Sequence, residues 1–394
     1  MRILIVLTYY RPHTSGLTIY AERLATAFAK RGHAVTILTS QYDRALPREE
    51  IKDGIRIVRA PVLFRISKGV VMPTFGGLAS KLVAEHDVIQ LHLPQFDAAG
   101  VALRGRILQK PTVITYHCDL IMPPGLLSGL ANQAVKFMSH LAARFTHRIV
   151  TYTQDYADHS PYMNRYLDKV TIIPPPVVLP PVDAEQVRAF AARTNPDGRK
   201  PIIGMAARFA TEKGVEVLLA ALPPVLEKFP EAQVWFAGPY ENITGEEGYF
   251  ARLSGRIHEL EASGHWVFTG SLDPAQMAAF YPNLDVLVLP SLNSTESFGL
   301  VQIEAMMNGV PCVTADLPGV RQPVRIHNMG EIFPVGDSEG MARAMINVLS
   351  RRKTILTDDA NLLARYNPDA TAVAYENLFV QIAGELAASE RQVD

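Results

Sequence analysis

Residues 295–319 read TESFGLVQIEAMMNGVPCVTADLPG. The aliphatic run Val286–Leu289 precedes this stretch and predicts a buried strand. A helical segment then extends from about Gly299 to Met307 and ends before Gly309. The run Pro311–Ala315 predicts the next strand. Strands separated by helices are typical of a parallel sheet, so this part of the chain predicts an α/β fold.

Two carboxylates and a helix start lie together in this stretch. Glu296 is in the loop outside the helix N-terminus, and Glu304 is in the second turn. Because helical side chains lean toward the N-terminus, Glu304 is expected to reach the crevice that Glu296 borders. The free amides of Phe298, Gly299 and Leu300 lie at the positive end of the helix dipole, which suits a phosphate. Carboxylates accept from sugar hydroxyls, so the pattern fits a sugar phosphate as well as an ordinary capped helix.

Two cations follow another predicted strand. Arg208 closes the strand Ile202–Ala206, and Lys213 precedes the next helix, so both emerge at the strand's carboxyl end. Arginine can hold two phosphate oxygens, and lysine acts as a point charge. Cations on a loop are more often solvated surface groups, so the residues alone leave both interpretations open.

The alternation of strands and helices runs through the whole chain. The predicted strands are Arg2–Thr8, Val35–Thr39, Ile55–Arg59, Val88–Leu91, Thr112–Thr115, Ile149–Thr153, Val170–Ile173, Ile202–Ala206, Gln233–Ala237, Trp266–Thr269, Val286–Leu289, Pro311–Ala315 and Glu331–Pro334. Five prolines in residues 172–181 predict a stiff interdomain linker. We expect doubly wound domains over residues 1–175 and 176–369, and a C-terminal helix over residues 370–394 that packs back toward the first domain. Pro223 and Pro224 predict a kinked or split helix.

The composition is that of a globular chain with oppositely charged halves. Apolar residues make up 48% and charged residues 20%, which excludes a disordered chain. Residues 1–180 hold 21 Lys and Arg against 12 Asp and Glu, while residues 181–394 hold 17 against 27. Cys118 and Cys312 imply no disulfide framework and fit a reducing cytosol. No segment reaches the ~20 apolar residues of a transmembrane helix. The first residues are better explained as a strand than as a signal peptide.

The 295–319 stretch resembles the signature of the retaining family-four glycosyltransferases, also called glycosyl transferases group 1. That signature has a Glu, then Phe-Gly-Leu, a second Glu and Gly-x-Pro, and the resemblance extends over nearly the whole chain. It implies the GT-B fold, in which two Rossmann-like doubly wound domains face a central cleft. It also implies that residues 176–369 bind a nucleotide-sugar donor and that residues 1–175 bind the acceptor.

The resemblance also implies roles for individual residues of the second domain. Glu296 would contact the hydroxyls of the donor sugar, and Glu304 would contact the ribose. Arg208 and Lys213 match the family's cations that bind the donor diphosphate. The residues whose amides would bind sugar or phosphate are Phe298, Gly299 and Leu300.

Two positions of the first domain match as well. Gly16 lies in the first strand–helix loop, where the family has a glycine that allows close approach of donor phosphate and acceptor. His117 matches the family's histidine that faces the donor sugar, with Asp119 a weaker candidate beside it. The resemblance therefore assigns catalysis to His117, Glu296, Arg208 and Lys213.

The implied reaction transfers a hexose from a UDP-, GDP- or ADP-linked donor to a sugar or lipid-linked acceptor, without cofactor, metal or nucleic acid. A dinucleotide-dependent oxidoreductase is excluded, because residues 8–17 contain a single glycine where that class needs three. A sugar-nucleotide epimerase of the same fold and a non-catalytic nucleotide-sugar-binding protein are the alternatives.

Two segments of the basic half mix cations with bulky apolar residues and lack acidic residues. They are residues 54–84 and residues 120–154. Such segments suit docking on an anionic lipid surface. The cations expected to contribute are Arg65, Lys68, Lys136 and Arg144. We therefore predict a cytoplasmic enzyme that is peripheral on the inner face of the membrane, against the alternative that the apolar residues are core.

Overall fold

The computed structural model describes residues 1–66, 69–120, 126–241, 243, 245–355 and 360–391. The chain divides into two compact units. The first comprises Met1–Val177 and Arg365–Asp394, and the second comprises Val178–Ala364. Among the described helices, none combines the length and apolar character needed to cross a membrane.

Strands and helices alternate along most of the chain. The strands are β1 (Arg2–Val6), β2 (Ala34–Gln41), β3 (Glu49–Lys52), β4 (Ile55–Pro61), β5 (Phe64–Ile66), β6 (Gly69–Val71), β7 (Val88–Leu93), β8 (Thr112–Tyr116), β9 (Arg148–Thr151), β10 (Val170–Ile172), β11 (Ile202–Ala206), β12 (Gln233–Ala237), β13 (Trp266–Gly270), β14 (Val286–Leu289), β15 (Cys312–Ala315) and β16 (Gly330–Phe333). The helices are α1 (Gly16–Lys30), α2 (Phe75–Glu85), α3 (Ala98–Ile107), α4 (Leu126–Phe145), α5 (Gln154–His159), α6 (Ala184–Thr194), α7 (Val215–Lys228), α8 (Glu247–Ala262), α9 (Pro274–Phe280), α10 (Leu300–Met306), α11 (Gln322–His327), α12 (Ser338–Ile355), α13 (Ala360–Tyr366) and α14 (Pro368–Glu390).

The first unit is built on a sheet with the strand order β10-β9-β8-β7-β1-β2-β4-β3. β3 is antiparallel to β4 and the other neighbours are parallel. Residues 3–6 of β1 are fully buried, as expected for an aliphatic strand covered on both faces. Helix α14 packs on α1, where Arg31 Nε donates to Glu376 Oε1 at 2.6 Å. The returning C-terminal helix therefore completes the first unit.

The second unit has an all-parallel sheet with the order β13-β12-β11-β14-β15-β16. The sequence predicted a kinked or split helix at Pro223 and Pro224. The prediction of a split helix was wrong, because α7 is one continuous helix through both prolines. Each proline removes one amide hydrogen bond. The apolar face of α7, which includes the buried Leu218 and Leu222, packs into the core and offsets that loss.

The carboxyl ends of parallel strands meet at one edge of a sheet, and this rule positions the loops that matter for function. β11 and β14 are hydrogen-bonded neighbours, with Ile203 beside Val286. The loops that follow these strands are therefore adjacent. In the first unit, β7 and β8 are neighbours in the same way, with Leu93 beside Tyr116.

Candidate functional site

Lys213 and Glu296 lie 83 positions apart in the sequence and form an ion pair in the second unit. Lys213 Nζ is 2.7 Å from Glu296 Oε2, and the two side chains are 17% and 21% exposed. The other carboxylate oxygen, Oε1, accepts from the backbone amide of Gly299 at 2.9 Å. Glu296 is therefore fixed from two sides, between a cation and the start of α10.

Two glycines with positive φ make this arrangement possible. Gly214 has φ +68°, and a Cβ there would lie 2.1 Å from the carbonyl oxygen of Pro290, just beyond β14. Gly299 has φ +77°, and a Cβ there would lie 2.4 Å from Leu289. Side chains rarely adopt this conformation and would not fit at either place. The loop that carries Lys213 can therefore pass directly over the end of β14.

Arg208, the second predicted cation, lies in the same region. It forms an ion pair with Glu212 and keeps 39% of its side chain exposed. The sequence interpretation missed Glu212, although its spacing of four residues from Arg208 was visible. The loop after β11 therefore presents a partly exposed guanidinium near a half-buried ammonium.

Glu304 lies on α10 and is 7% exposed. Its Oε2 accepts from the hydroxyl of Tyr281 at 2.6 Å, which fixes the carboxylate. No local signal pointed to Tyr281, which lies in a short 3-10 helix distant in sequence. Phe298 is buried with 2% exposure, and Leu300 opens α10.

The sequence suggested that Gly16 lies in the first strand–helix loop. In the structure it is instead the first residue of α1. The reason is Ser15, whose side chain caps the helix by accepting from the amide of Thr18 at 3.2 Å. Gly16 is exposed, and a Cβ there would meet no atom within 4 Å. The described residues therefore give no steric reason for a glycine at this position.

His117 follows β8 and is buried, with 7% exposure. Its Nε2 is 2.7 Å from His92 Nδ1, and its Nδ1 is hydrogen-bonded to the hydroxyl of Tyr152. Burial lowers the pKa of His117 well below its usual value, and the neighbouring His92 adds to this effect. Both ring nitrogens thus have partners inside the first unit, and the ring is neutral at pH 7.

The sequence interpretation missed His92 and Tyr152. One signal for His92 was available, because Gln90 and His92 alternate in a strand that is otherwise apolar and share one face of it.

Asp119 lies two residues beyond His117 and is buried. Its Oδ1 accepts from Tyr116 and Ser160 at 2.9 and 2.6 Å.

The arrangement in the second unit suits a ligand that carries both negative charge and hydroxyl groups. Lys213 and Arg208 can hold phosphate oxygens, and carboxylate oxygens of Glu296 and Glu304 can accept from hydroxyls. Within the described ranges, no group of three or more His, Cys, Asp and Glu side chains is arranged to hold a metal ion.

Two family profiles match the chain, and the first ends within the proline-rich segment while the second begins beyond it. The profile of Glycosyltransferase Family 4 matches residues 14–179. The profile of Glycosyl transferases group 1 matches residues 187–363 and so includes all of the predicted residues of the second unit. Together the two matches cover most of the chain.

Individual proteins resemble the chain over nearly its full length. A phosphatidyl-myo-inositol mannosyltransferase of Mycolicibacterium smegmatis is 25% identical over 89% of this chain and 85% of its own. A GDP-mannose-dependent alpha-mannosyltransferase of the same organism is 27% identical over 93% and 94%. Among solved structures, Anabaena HepE in complex with UDP-glucose superposes with a TM-score of 0.69 at 18% identity, and all of both chains is covered.

Proposed function

Because the chain belongs to the family-four glycosyltransferases and has their GT-B fold, we propose that it is a retaining enzyme that transfers a hexose from a nucleotide-diphosphate sugar to an acceptor. The observation that supports this proposal is the 2.7 Å contact of Lys213 with Glu296, because a lysine can bind phosphate and a carboxylate can accept from sugar hydroxyls. A sugar joined to a diphosphate has both groups that these side chains recognise.

In the proposed reaction, the bond between the anomeric carbon and the diphosphate oxygen breaks first. Arg208 and Lys213 stabilise the negative charge that develops on the departing diphosphate. The acceptor hydroxyl then bonds to the anomeric carbon from the same face, and its proton passes to the leaving phosphate oxygen. Because the acceptor bonds on the face from which the diphosphate departs, the configuration of the donor is retained. Glu296 orients the sugar and forms no covalent bond with it.

The donor is proposed to be linked to GDP, UDP or ADP. Two relatives are named as mannosyltransferases and one of them as dependent on GDP-mannose, so GDP-mannose is the first donor to test. His117 and Gly16 of the first unit are proposed to act on the donor as well. Since both nitrogens of His117 are engaged, its contribution is expected to come from its fixed position.

The acceptor is proposed to be lipid-linked and the protein to be peripheral on the inner face of the membrane. On α3 and α4, Ile107 and Phe137 are 68% and 62% exposed, close in sequence to the exposed Arg106 and Lys136. Cations beside exposed apolar side chains suit an anionic lipid surface. A relative named for phosphatidyl-myo-inositol supports a lipid acceptor. Lys68, one of the cations predicted to contribute, lies outside the described residues.

Transfer is tested by incubating the protein with radiolabelled GDP-mannose, UDP-glucose and ADP-glucose, each with and without a lipid or a water-soluble acceptor fraction. The proposal predicts that one donor releases nucleoside diphosphate only when acceptor is present and that the label appears in the acceptor. Release of the diphosphate without acceptor, with an altered sugar, would indicate an epimerase. Donor binding without any turnover would indicate a binding protein.

Membrane docking is tested by co-sedimentation with vesicles. Binding should require anionic lipid, weaken with salt, and fall when Arg65, Lys68, Lys136 and Arg144 are neutralised together. Neutralising four exposed cations of the second unit together is the matched control and should leave binding unchanged; they are Arg188, Lys228, Arg256 and Arg343. Equal recovery in the supernatant with neutral and anionic vesicles at low salt would contradict the proposal.

A further inference from the structure

His92 and His117 form a stacked, hydrogen-bonded pair inside the first unit. His92 is the fifth residue of β7, and His117 follows the neighbouring strand β8. Their ring centroids are 5.0 Å apart with an angle of 22° between the planes. His92 Nδ1 lies 2.7 Å from His117 Nε2. His92 is fully buried, whereas His117 keeps 7% exposure, so the two histidines have different access to a ligand.

The contacts of His117 constrain its protons. A neutral imidazole has one N–H donor and one bare nitrogen acceptor. Tyr152 bonds to Nδ1 of His117, and His92 bonds to its Nε2. A neutral His117 must therefore donate to one of these neighbours and accept from the other. The direction of the hydrogen bond between Tyr152 and His117 therefore fixes the tautomer of His117 and, through it, that of His92.

A third side of the His117 ring is covered by Tyr20 of α1. Its ring meets His117 edge-on, with centroids 5.0 Å apart and planes at 89°. The hydroxyl of Tyr20 bonds to that of Tyr375 on α14 at 2.9 Å. The C-terminal helix thereby contributes to the packing around His117.

His92 lowers the stability of the folded chain. His92 Nε2 is buried and has no hydrogen-bond partner among the described residues. A buried polar atom without a partner destabilises the folded state, and an apolar side chain in its place would avoid that cost. This cost favours a functional reason for a histidine at position 92.

We propose that His92 is a positioning residue that fixes the orientation and tautomer of His117 without touching the substrate. The inference rests on the proposed function, in which His117 faces the donor sugar. His92 acts through its Nδ1 atom, which lies 2.7 Å from His117 Nε2.

The experiment compares His92→Leu, His92→Phe and His92→Asn with His86→Leu. Leucine and phenylalanine remove Nδ1, and phenylalanine keeps a ring stacked on His117. Asparagine offers an amide in place of Nδ1. His86 is the matched control, because it is a buried histidine of the same unit that bonds Leu82 and Thr36, away from His117. The readouts are kcat, the KM for donor, and the ¹⁵N shifts of labelled histidine rings.

We expect His92→Leu and His92→Phe to lower kcat about tenfold with little change in KM, since one oriented hydrogen bond is lost. The ¹⁵N signals of His117 should change from one protonated and one bare nitrogen to an average of both tautomers. His92→Asn should restore kcat to within about threefold of wild type. His86→Leu should leave kcat and the His117 signals unchanged, whatever it does to stability.

The proposal is overturned if the apolar variants keep wild-type kcat, if His86→Leu loses as much, or if the His117 signals do not move. Either apolar variant that folds is sufficient for the comparison. The ¹⁵N measurement needs no turnover, so a protein that fails to transfer sugar would refute the proposed function while the positioning of His117 is still tested on its own.

Discussion

Replacing Lys213 with methionine removes the ammonium group and keeps most of the side chain's volume. The Nζ of Lys213 lies 2.7 Å from Glu296 Oε2, and the side chains are 17% and 21% exposed. Surface ion pairs contribute about 0–1 kcal/mol, whereas breaking a buried pair costs about 3–5 kcal/mol. For this partly buried pair we expect the free energy of unfolding to fall by about 1–3 kcal/mol. A domain with about 5–15 kcal/mol of stability stays largely folded after such a loss.

Because the protein stays largely folded, unfolding cannot account for the expected loss of activity. A cation that stabilises the leaving diphosphate in the transition state contributes roughly 10²–10³ in kcat. The assay is acceptor-dependent transfer from the best donor, with urea unfolding measured on the same samples. Lys200→Met is the control, because Lys200 Nζ lies 3.2 Å from Asp285 Oδ2 at the amino end of β11. A kcat for Lys213→Met within threefold of wild type, or an equal loss in Lys200→Met, would refute the assignment.

The geometry and the charges of the two units support three more predictions. Gly16→Ala should not lower the melting temperature, because a Cβ meets no atom within 4 Å, yet it should lower kcat/KM at least tenfold. Gly77→Ala, equally unobstructed, is the control, and equal activities of the two variants would contradict a ligand approach at Gly16. Transfer should persist in EDTA, because Arg208 and Lys213 are proposed to neutralise the diphosphate, and loss of activity restored by Mg²⁺ or Mn²⁺ would contradict this. Burial lowers the pKa of His92 to about 3, so below pH ~6.5 the unfolded chain binds a proton that the folded one does not. Stability should therefore decrease as the pH falls from ~6.5 toward 3, by up to ~1.4 kcal/mol per pH unit for this group, and His92→Asn should flatten the dependence in urea titrations.

The strands of both sheets were predictable where burial on two faces produces an uninterrupted apolar run. Ile202–Ala206 and Gln233–Ala237 begin and end at the predicted residues. β3 was missed because Glu49–Lys52 is a polar edge strand that leaves little hydrophobic pattern. The hairpin strand Phe64–Ile66 was missed because three residues are too short for a period-two signal.

The residues of the candidate site were predictable to the extent that a local pattern carried them. The Lys213–Glu296 contact agrees with the rule that loops at the carboxyl ends of neighbouring parallel strands are adjacent. The partner of Glu304 was not predictable, because Tyr281 is 23 positions away and nothing in its surroundings indicates a buried acceptor. For His117, the sequence indicated a position at a strand end, but its engagement by His92 depends on strand register.

The most direct test of the central claim is the anomeric configuration of the transferred sugar. A donor with an α-linked, ¹³C-labelled hexose is incubated with the protein and acceptor, and the one-bond carbon–hydrogen coupling of the anomeric carbon is measured in the product. A retaining transferase is expected to give an α-linked glycoside that forms only with acceptor present. A β-linked product would contradict retention, and conversion of the donor without any acceptor glycoside would contradict glycosyl transfer.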